Sequence, residues 1–149
     1  MSTLVISDGD LYACDFNLSI QLGLNDTICQ NTLIKVNACG NTCFTMVSCG
    51  LSHTFALDDE GNLWGCGNNC YGQLGLQDNI QQIVFTKIPK NAFFMMVSSG
   101  CFHAVVLDSK GHVWSRGGNY YGQLGLQDNI DRNVLTKVPS TDTSFAVVS

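Results

Sequence analysis

Tyr71-Gly72-Gln73-Leu74-Gly75-Leu76-Gln77-Asp78-Asn79-Ile80 recurs unchanged as Tyr121-Gly122-Gln123-Leu124-Gly125-Leu126-Gln127-Asp128-Asn129-Ile130, an offset of 50 residues. The same offset pairs Gly50 with Gly100, His53 with His103, Gly61 with Gly111, and Trp64 with Trp114. It also pairs Thr86-Lys87 with Thr136-Lys137, and Pro89 with Pro139. Matches this numerous at one spacing identify an internal repeat. An eroded copy lies upstream, where Gln21-Leu22-Gly23-Leu24 matches Gln73 to Leu76 at an offset of 52. Gly9, Tyr12, Asp26 and Lys35 fall on Gly61, Trp64, Asp78 and Lys87 at that same offset of 52.

Each unit reads as a series of short strands. Met46-Val47-Ser48 is an apolar strand ended by Gly50, and His53-Thr54-Phe55-Ala56-Leu57 follows it. The counterpart His103-Ala104-Val105-Val106-Leu107 is apolar on both sides, which requires burial of both faces. Asp59-Glu60-Gly61-Asn62 is a hairpin turn closed by glycine. Leu63-Trp64-Gly65-Cys66 makes a third strand, and Gln73-Leu74-Gly75-Leu76 a glycine-bent loop with two leucines to plug beneath it. Phe85-Thr86-Lys87-Ile88 makes an outer strand, with Lys87 guarding the edge. A unit of about 50 residues built this way is too long for ankyrin or leucine-rich repeats and suits a four-stranded propeller blade.

Val47-Ser48-Cys49-Gly50-Leu51-Ser52-His53-Thr54-Phe55-Ala56-Leu57 resembles the repeat signature of the regulator-of-chromosome-condensation family. Val97-Ser98-Ser99-Gly100-Cys101-Phe102-His103-Ala104-Val105-Val106-Leu107 matches it again. Each copy is followed by Gly-x-[Leu/Val]-Trp and then by Tyr-Gly-Gln-Leu-Gly. The signature positions are thus Gly50, Gly61, Trp64, Gly72, Leu74 and Gly75, repeated as Gly100, Gly111, Trp114, Gly122, Leu124 and Gly125. The resemblance implies an all-β fold, a partial propeller of about three four-stranded antiparallel blades, where the whole family fold has seven. It also implies protein partners held at rims and loops. Family members include a nucleotide exchange factor for the small GTPase Ran, ubiquitin-ligase subunits, a plant ultraviolet receptor, and bacterial inhibitors or effectors.

With the strands of a blade lettered A to D, the chain reads as one repeat domain. Residues 1–45 are an eroded repeat lacking strand A, 46–95 and 96–145 are full repeats, and 146–149 are the first strand of a further blade. The offset of 52 sets Met1 opposite His53. Three blades do not close a ring, because propellers use roughly four to eight. The chain is therefore expected to be a piece of a longer propeller or to assemble head-to-tail with a second copy, strand A of one completing the first blade of the next.

Composition narrows function by exclusion. Seven Lys+Arg against twelve Asp+Glu give a net charge of −5, without the basic footprint that nucleic acid requires. No apolar run approaches the ~18 residues of a membrane span, and Met1-Ser2-Thr3-Leu4 lacks a basic secretory start. The two sequons, Asn17-Leu18-Ser19 and Asn25-Asp26-Thr27, read as chance matches in an intracellular protein, cytoplasmic or nuclear. Eight cysteines raise a disulfide framework or a metal site, with Cys39-x-x-x-Cys43 and Cys66-x-x-x-Cys70 as candidate pairs. Cys66 aligns with Cys14 but with Arg116, and Cys70 with Leu18 and Tyr120, so no ligand set recurs in the blades. The thiols are read as reduced and mostly buried, with no metal and no cofactor.

The histidines His53 and His103 and the aspartates Asp58 and Asp108 are the candidate partner-binding residues. In the family's exchange factor, repeat histidines are implicated in partner contact. Against that, residues repeated in every blade answer first to architecture. The histidines would then bond to backbone at the inner end of strand B, and the aspartates would serve the turns. A serine–histidine–aspartate triad needs one singular cluster, and these residues recur as a set. Gly65-Cys66-Gly67 lacks a third spaced glycine for phosphate, and Trp64 and Trp114 are packing aromatics. The chain is expected to be no enzyme but a protein-binding module. Nucleotide exchange on a Ran-like small GTPase is the alternative, weakened because spacings of 50 and 52 leave no room for an inserted β-wedge.

Overall fold

The computed structural model describes residues 2–37, 40–90, 92–139 and 145–148. Among them are eleven strands and no helix. The first sheet holds β1 (Ser2–Ser7), β2 (Asp10–Asp15) and β3 (Gln30–Lys35). The second holds β4 (Phe44–Cys49), β5 (His53–Asp58), β6 (Leu63–Gly67) and β7 (Gln82–Lys87), and the third β8 (Phe94–Ser99), β9 (His103–Asp108), β10 (Val113–Gly117) and β11 (Arg132–Lys137). Every pairing is antiparallel between sequence neighbours, the meander of a propeller blade. The first sheet has three strands.

β5 explains why the central blade needs apolar residues on both sides, for it is buried throughout. Ala56 packs with Leu11, Ala13 and Leu22 of the first blade, alongside Phe44, Trp64 and Phe85. Phe55 and Leu57 point the other way, into a second cluster with Leu74, Ile88, Phe94, Ala104 and Val106. Alternation of period two thus feeds two inter-blade cores from one strand. Leu22, Leu74 and Leu124 are the buried plugs beneath the glycine-bent loops.

Main-chain staples also join the blades. The Asn25 N–H donates to the Ile83 carbonyl and the Gln77 N–H to the Asn133 carbonyl, both at 3.1 Å. Each links the loop of one blade to the outer strand of the next. At the opposite face the hairpin glycines Gly9, Gly61 and Gly111 accept the N–H groups of Phe44, Phe94 and Phe145 at 2.8, 3.2 and 3.0 Å. Phe145 therefore stands where Phe44 and Phe94 open their blades. Residues 145–148 belong to no strand, and Ser149, the end of the expected last strand, lies outside the described residues.

The first repeat departs from a uniform offset of 52. Asp8-Gly9 is a two-residue turn with φ of +53° and +81°, whereas Asp58 and Asn62 enclose three residues. Ile6 pairs Leu11 as Leu57 pairs Leu63, so β1 aligns at 51. The residue in the place of His53 is Ser2 rather than Met1, since Ser2 opposes Asp15 as His53 opposes Gly67.

Candidate protein-binding face

His53 and Asp58 sit at opposite ends of β5, about 17 Å apart at the usual rise of a strand. The two histidines and the two aspartates therefore occupy opposite faces of the blades and form no single site. The His53 side chain is fully buried, and among the described residues neither ring nitrogen meets hydrogen-bond geometry, although the His103 main chain lies close enough to favour the protonated ring. The turn is closed instead by main chain, Gly50 N–H to the His53 carbonyl at 2.8 Å and Gly100 N–H to that of His103 at 2.9 Å. The rings pack on the glycines: a Cβ on Gly50 would fall 2.2 Å from His53 Cε1, and one on Gly100 2.0 Å from His103 Cε1. Gly-x-x-His is thus a packing unit. Burial first, and the nearby Arg116 charge second, push the His53 pKa down to about 3. Burial lowers that of the half-buried His103 as well.

Asp58 and Asp108 brace the hairpins. Asp58 Oδ2 accepts the Trp64 indole N–H at 2.9 Å and Asn62 Nδ2 at 2.8 Å, while Oδ1 accepts the Glu60 and Asn62 N–H groups. Asp108 accepts Trp114 Nε1 at 3.0 Å, the Lys110 and His112 N–H groups at 2.9 Å, and meets His112 Nδ1 at 3.1 Å. Burial raises both carboxyls, but these donors outweigh it, holding Asp58 below its usual range and Asp108 at about 2. Lys87 lies 5.7 Å over the Trp64 ring, so it packs on the blade as well as guarding its edge.

Three residues that organise the loops escaped the sequence reading. Asn69 Nδ2 donates to the Asp78 carbonyl and carboxylate and its Oδ1 accepts the Leu74 N–H, all between 2.8 and 3.0 Å. Asn17 and Asn119 repeat this with Asp26 and Leu22, and with Asp128 and Leu124. The signal was present, since Asn17, Asn69 and Asn119 keep the offsets of 52 and 50. Asn17 is buried in this network, so its sequon is not open to a glycan.

The thiols differ from expectation. Cys66 is buried and Cys14 and Cys49 half-buried, but Cys29, Cys43, Cys70 and Cys101 are exposed. Cys39 of the Cys39–Cys43 pair lies outside the described residues. No three His, Cys, Asp or Glu groups come together as a metal set among the described residues, and no helix there is long and apolar enough to cross a membrane.

At the histidine-bearing face the second and third blades open a cleft of about 690 Å³ lined by Tyr71, Phe102, Tyr120, Tyr121, Ile130 and Asp131. Tyr71 and Phe102 meet at a tilt across the blade boundary with ring centres 5.0 Å apart, and Tyr120 meets Tyr121 edge-on at 4.8 Å. All four of these aromatic side chains are exposed.

Successive antiparallel meanders, packed face to face and stapled from loop to outer strand, define consecutive blades of a β-propeller. The chain belongs to the regulator of chromosome condensation (RCC1) repeat family, whose profiles match residues 8–57 and 60–107, and residues 45–73 and 97–123. It is 34% identical over 90 residues to an X-linked retinitis pigmentosa GTPase regulator homolog of Caenorhabditis elegans, covering 59% of this chain and 6% of that one. It is 36% identical over 78 residues to a secretion-regulating guanine nucleotide exchange factor of Mus musculus, covering 50% and 16%. With the ultraviolet-B receptor UVR8 of Arabidopsis thaliana it shares 35% over 82 residues, covering 54% and 18%. Among solved structures, yeast RCC1 (Prp20) bound to Kap60 superposes with a TM-score of 0.86 at 21% identity, over 95% of this chain and 36% of that one. Human WBSCR16 gives 0.84 at 22%, over 93% and 35%. The chain thus spans less than a fifth of these relatives and about a third of the solved propellers.

Proposed function

We propose that this chain supplies part of a propeller rim that binds a protein partner through its loops, without catalysing a reaction. The supporting observation is the division of labour among its residues. The repeated His53, His103, Asp58 and Asp108 are committed to packing and hairpin bonds. The exposed loop tips, in contrast, add Phe102 and Tyr120, which have no aromatic counterpart in the preceding copy, to the repeated Tyr71 and Tyr121. An intracellular setting is part of this reading.

Nucleotide exchange on a Ran-like small GTPase is the second reading. It is favoured by similarity to a secretion-regulating guanine nucleotide exchange factor and to the propeller of Prp20p, a protein whose structure was described together with its binding to Gsp1p and histones. A fluorescent-nucleotide release assay over a panel of small GTPases separates the two. The binding reading expects no acceleration at catalytic protein concentration, with any effect requiring stoichiometric protein. Multiple turnover of release on one GTPase establishes exchange instead.

A further inference from the structure

The decapeptide 71–80 is identical to 121–130, so the frame of the second loop is rebuilt in the third blade without change. The residues around that frame are not. Phe102 stands where the preceding copy has Ser52, Tyr120 where it has Cys70, and Asp131 where it has Gln81. All three new side chains line the same cleft of about 690 Å³. A blade needs none of them, because the copy that lacks them folds into the same meander with the same register. Tyr120 is 76% exposed and Phe102 36%, so neither change serves the interior.

The substitutions add two rings and one carboxylate to a wall that already holds Tyr71 and Tyr121. Asp131 Oδ1 accepts the Asn119 N–H at 2.7 Å, and a carboxylate has about four acceptor positions, so capacity remains. Among the described residues no lysine or arginine lines the cleft. The neighbouring Arg132 is tied to Asp128 and to the Ile130 carbonyl. Aromatic faces attract cations through their quadrupole, and a planar guanidinium both stacks on rings and pairs with a carboxylate. The surrounding chain has a net charge of −5, which favours a basic approach.

We infer that this cleft docks an arginine side chain of an extended basic segment in a protein partner. The inference rests on the protein-binding reading and names the partner chemistry at one place on the rim. The test uses the chain labelled with ¹³C-tyrosine and the capped pentapeptide acetyl-Gly-Ser-Arg-Ser-Gly-amide, followed by ring shifts. Its neutral citrulline counterpart is the control. Saturable shifts at Tyr120 and Tyr121 are expected with the arginine peptide, with at least fivefold weaker binding of the citrulline one. Asp131→Asn should weaken the arginine peptide at least fivefold, and Phe102→Ser with Tyr120→Cys should abolish binding without lowering the melting temperature. Equal binding of both peptides, shifts that persist in the double variant, or no saturation with either peptide overturns the inference. A chain that ignores both peptides yet binds a protein elsewhere on its rim leaves the module reading intact. A chain that takes the arginine peptide but no protein does the reverse.

Discussion

The guanidinium carbon of Arg116 lies 4.3 Å from the ring centre of Phe55 in the neighbouring blade. Its Nη1 donates to the Leu74 carbonyl at 2.7 Å, while Nε and Nη2 make no hydrogen bond among the described residues. The side chain is fully buried, and burial pulls its pKa down to about 9. Cys66 occupies this position one blade earlier, where its thiol reaches the Gln21 carbonyl at 3.4 Å. In both copies the residue sits at the irregular step in strand pairing, which re-aims it across the blade boundary. Among the described residues no carboxylate pairs with this arginine, so its desolvation opposes its packing. Arg116→Ala should destabilise by about 2–4 kcal/mol through the lost volume and the orphaned Leu74 carbonyl. Arg116→Met should stay within about 1 kcal/mol of the parent. Urea unfolding of the pair checks the ranking, and a Met variant as damaged as the Ala variant would show that the charge itself is needed.

The buried histidines make stability depend on pH in a window above the carboxylate range. His53 has a folded pKa of about 3, whereas an unfolded histidine takes a proton near pH 6.5. A lowered histidine pKa means that the unfolded chain binds the extra proton, so stability is full above about pH 6.5 and falls as pH drops toward 3. His103 acts with the same sign. Asp58 and Asp108, whose pKa values are lowered, lose their contribution only below the ordinary carboxylate value. The unfolding free energy from denaturant titration should decline from pH 6.5 to 4, on the order of a few kcal/mol in total. In His53→Asn that slope should flatten, whatever the baseline cost of the substitution.

Gly100 and His103 should be coupled. The three atoms nearest a Cβ placed on Gly100 all belong to the His103 ring, at 2.0, 2.4 and 2.7 Å. Gly100→Ala and His103→Ala should each destabilise, but the double variant should cost less than their sum by about 1–3 kcal/mol. Additive losses in thermal unfolding would remove the packing account of Gly-x-x-His.

Asp15 holds a φ of +85° at the position where Gly67 and Gly117 hold +96° and +97°. An aspartate there bears backbone strain that glycine avoids. Asp15→Gly should stabilise the first blade by about 0.5–1 kcal/mol in urea unfolding.

Much of this architecture was legible because each blade restates it. The strands, the Gly61 hairpin, and the leucine plugs all recur at one offset, and the two-sided burial of β5 follows from its unbroken apolar run. Other features were hidden for physical reasons. The single-residue difference between the Asp8-Gly9 and Asp59-Glu60-Gly61 turns changes the alignment of one strand without disturbing its pattern. Asp58 was legible as a turn residue, but its bond to an indole six positions away in sequence, across a hairpin, was not. The aromatic cleft was hidden because it is made by departures from the repeat, at Phe102, Tyr120 and Asp131, and a search for periodicity passes over what does not recur.

Two variants separate the residues that hold the blades from those that meet the partner: the third copy restored to the second, as Phe102→Ser, Tyr120→Cys and Asp131→Gln together, and His103→Asn. Each is measured for melting temperature and for affinity toward a purified partner recovered by proximity labelling. The triple variant should keep its melting temperature and lose at least tenfold in affinity, while His103→Asn should melt lower and bind normally when folded. A triple variant that binds unchanged, with binding lost in a fully folded His103→Asn, would contradict the account.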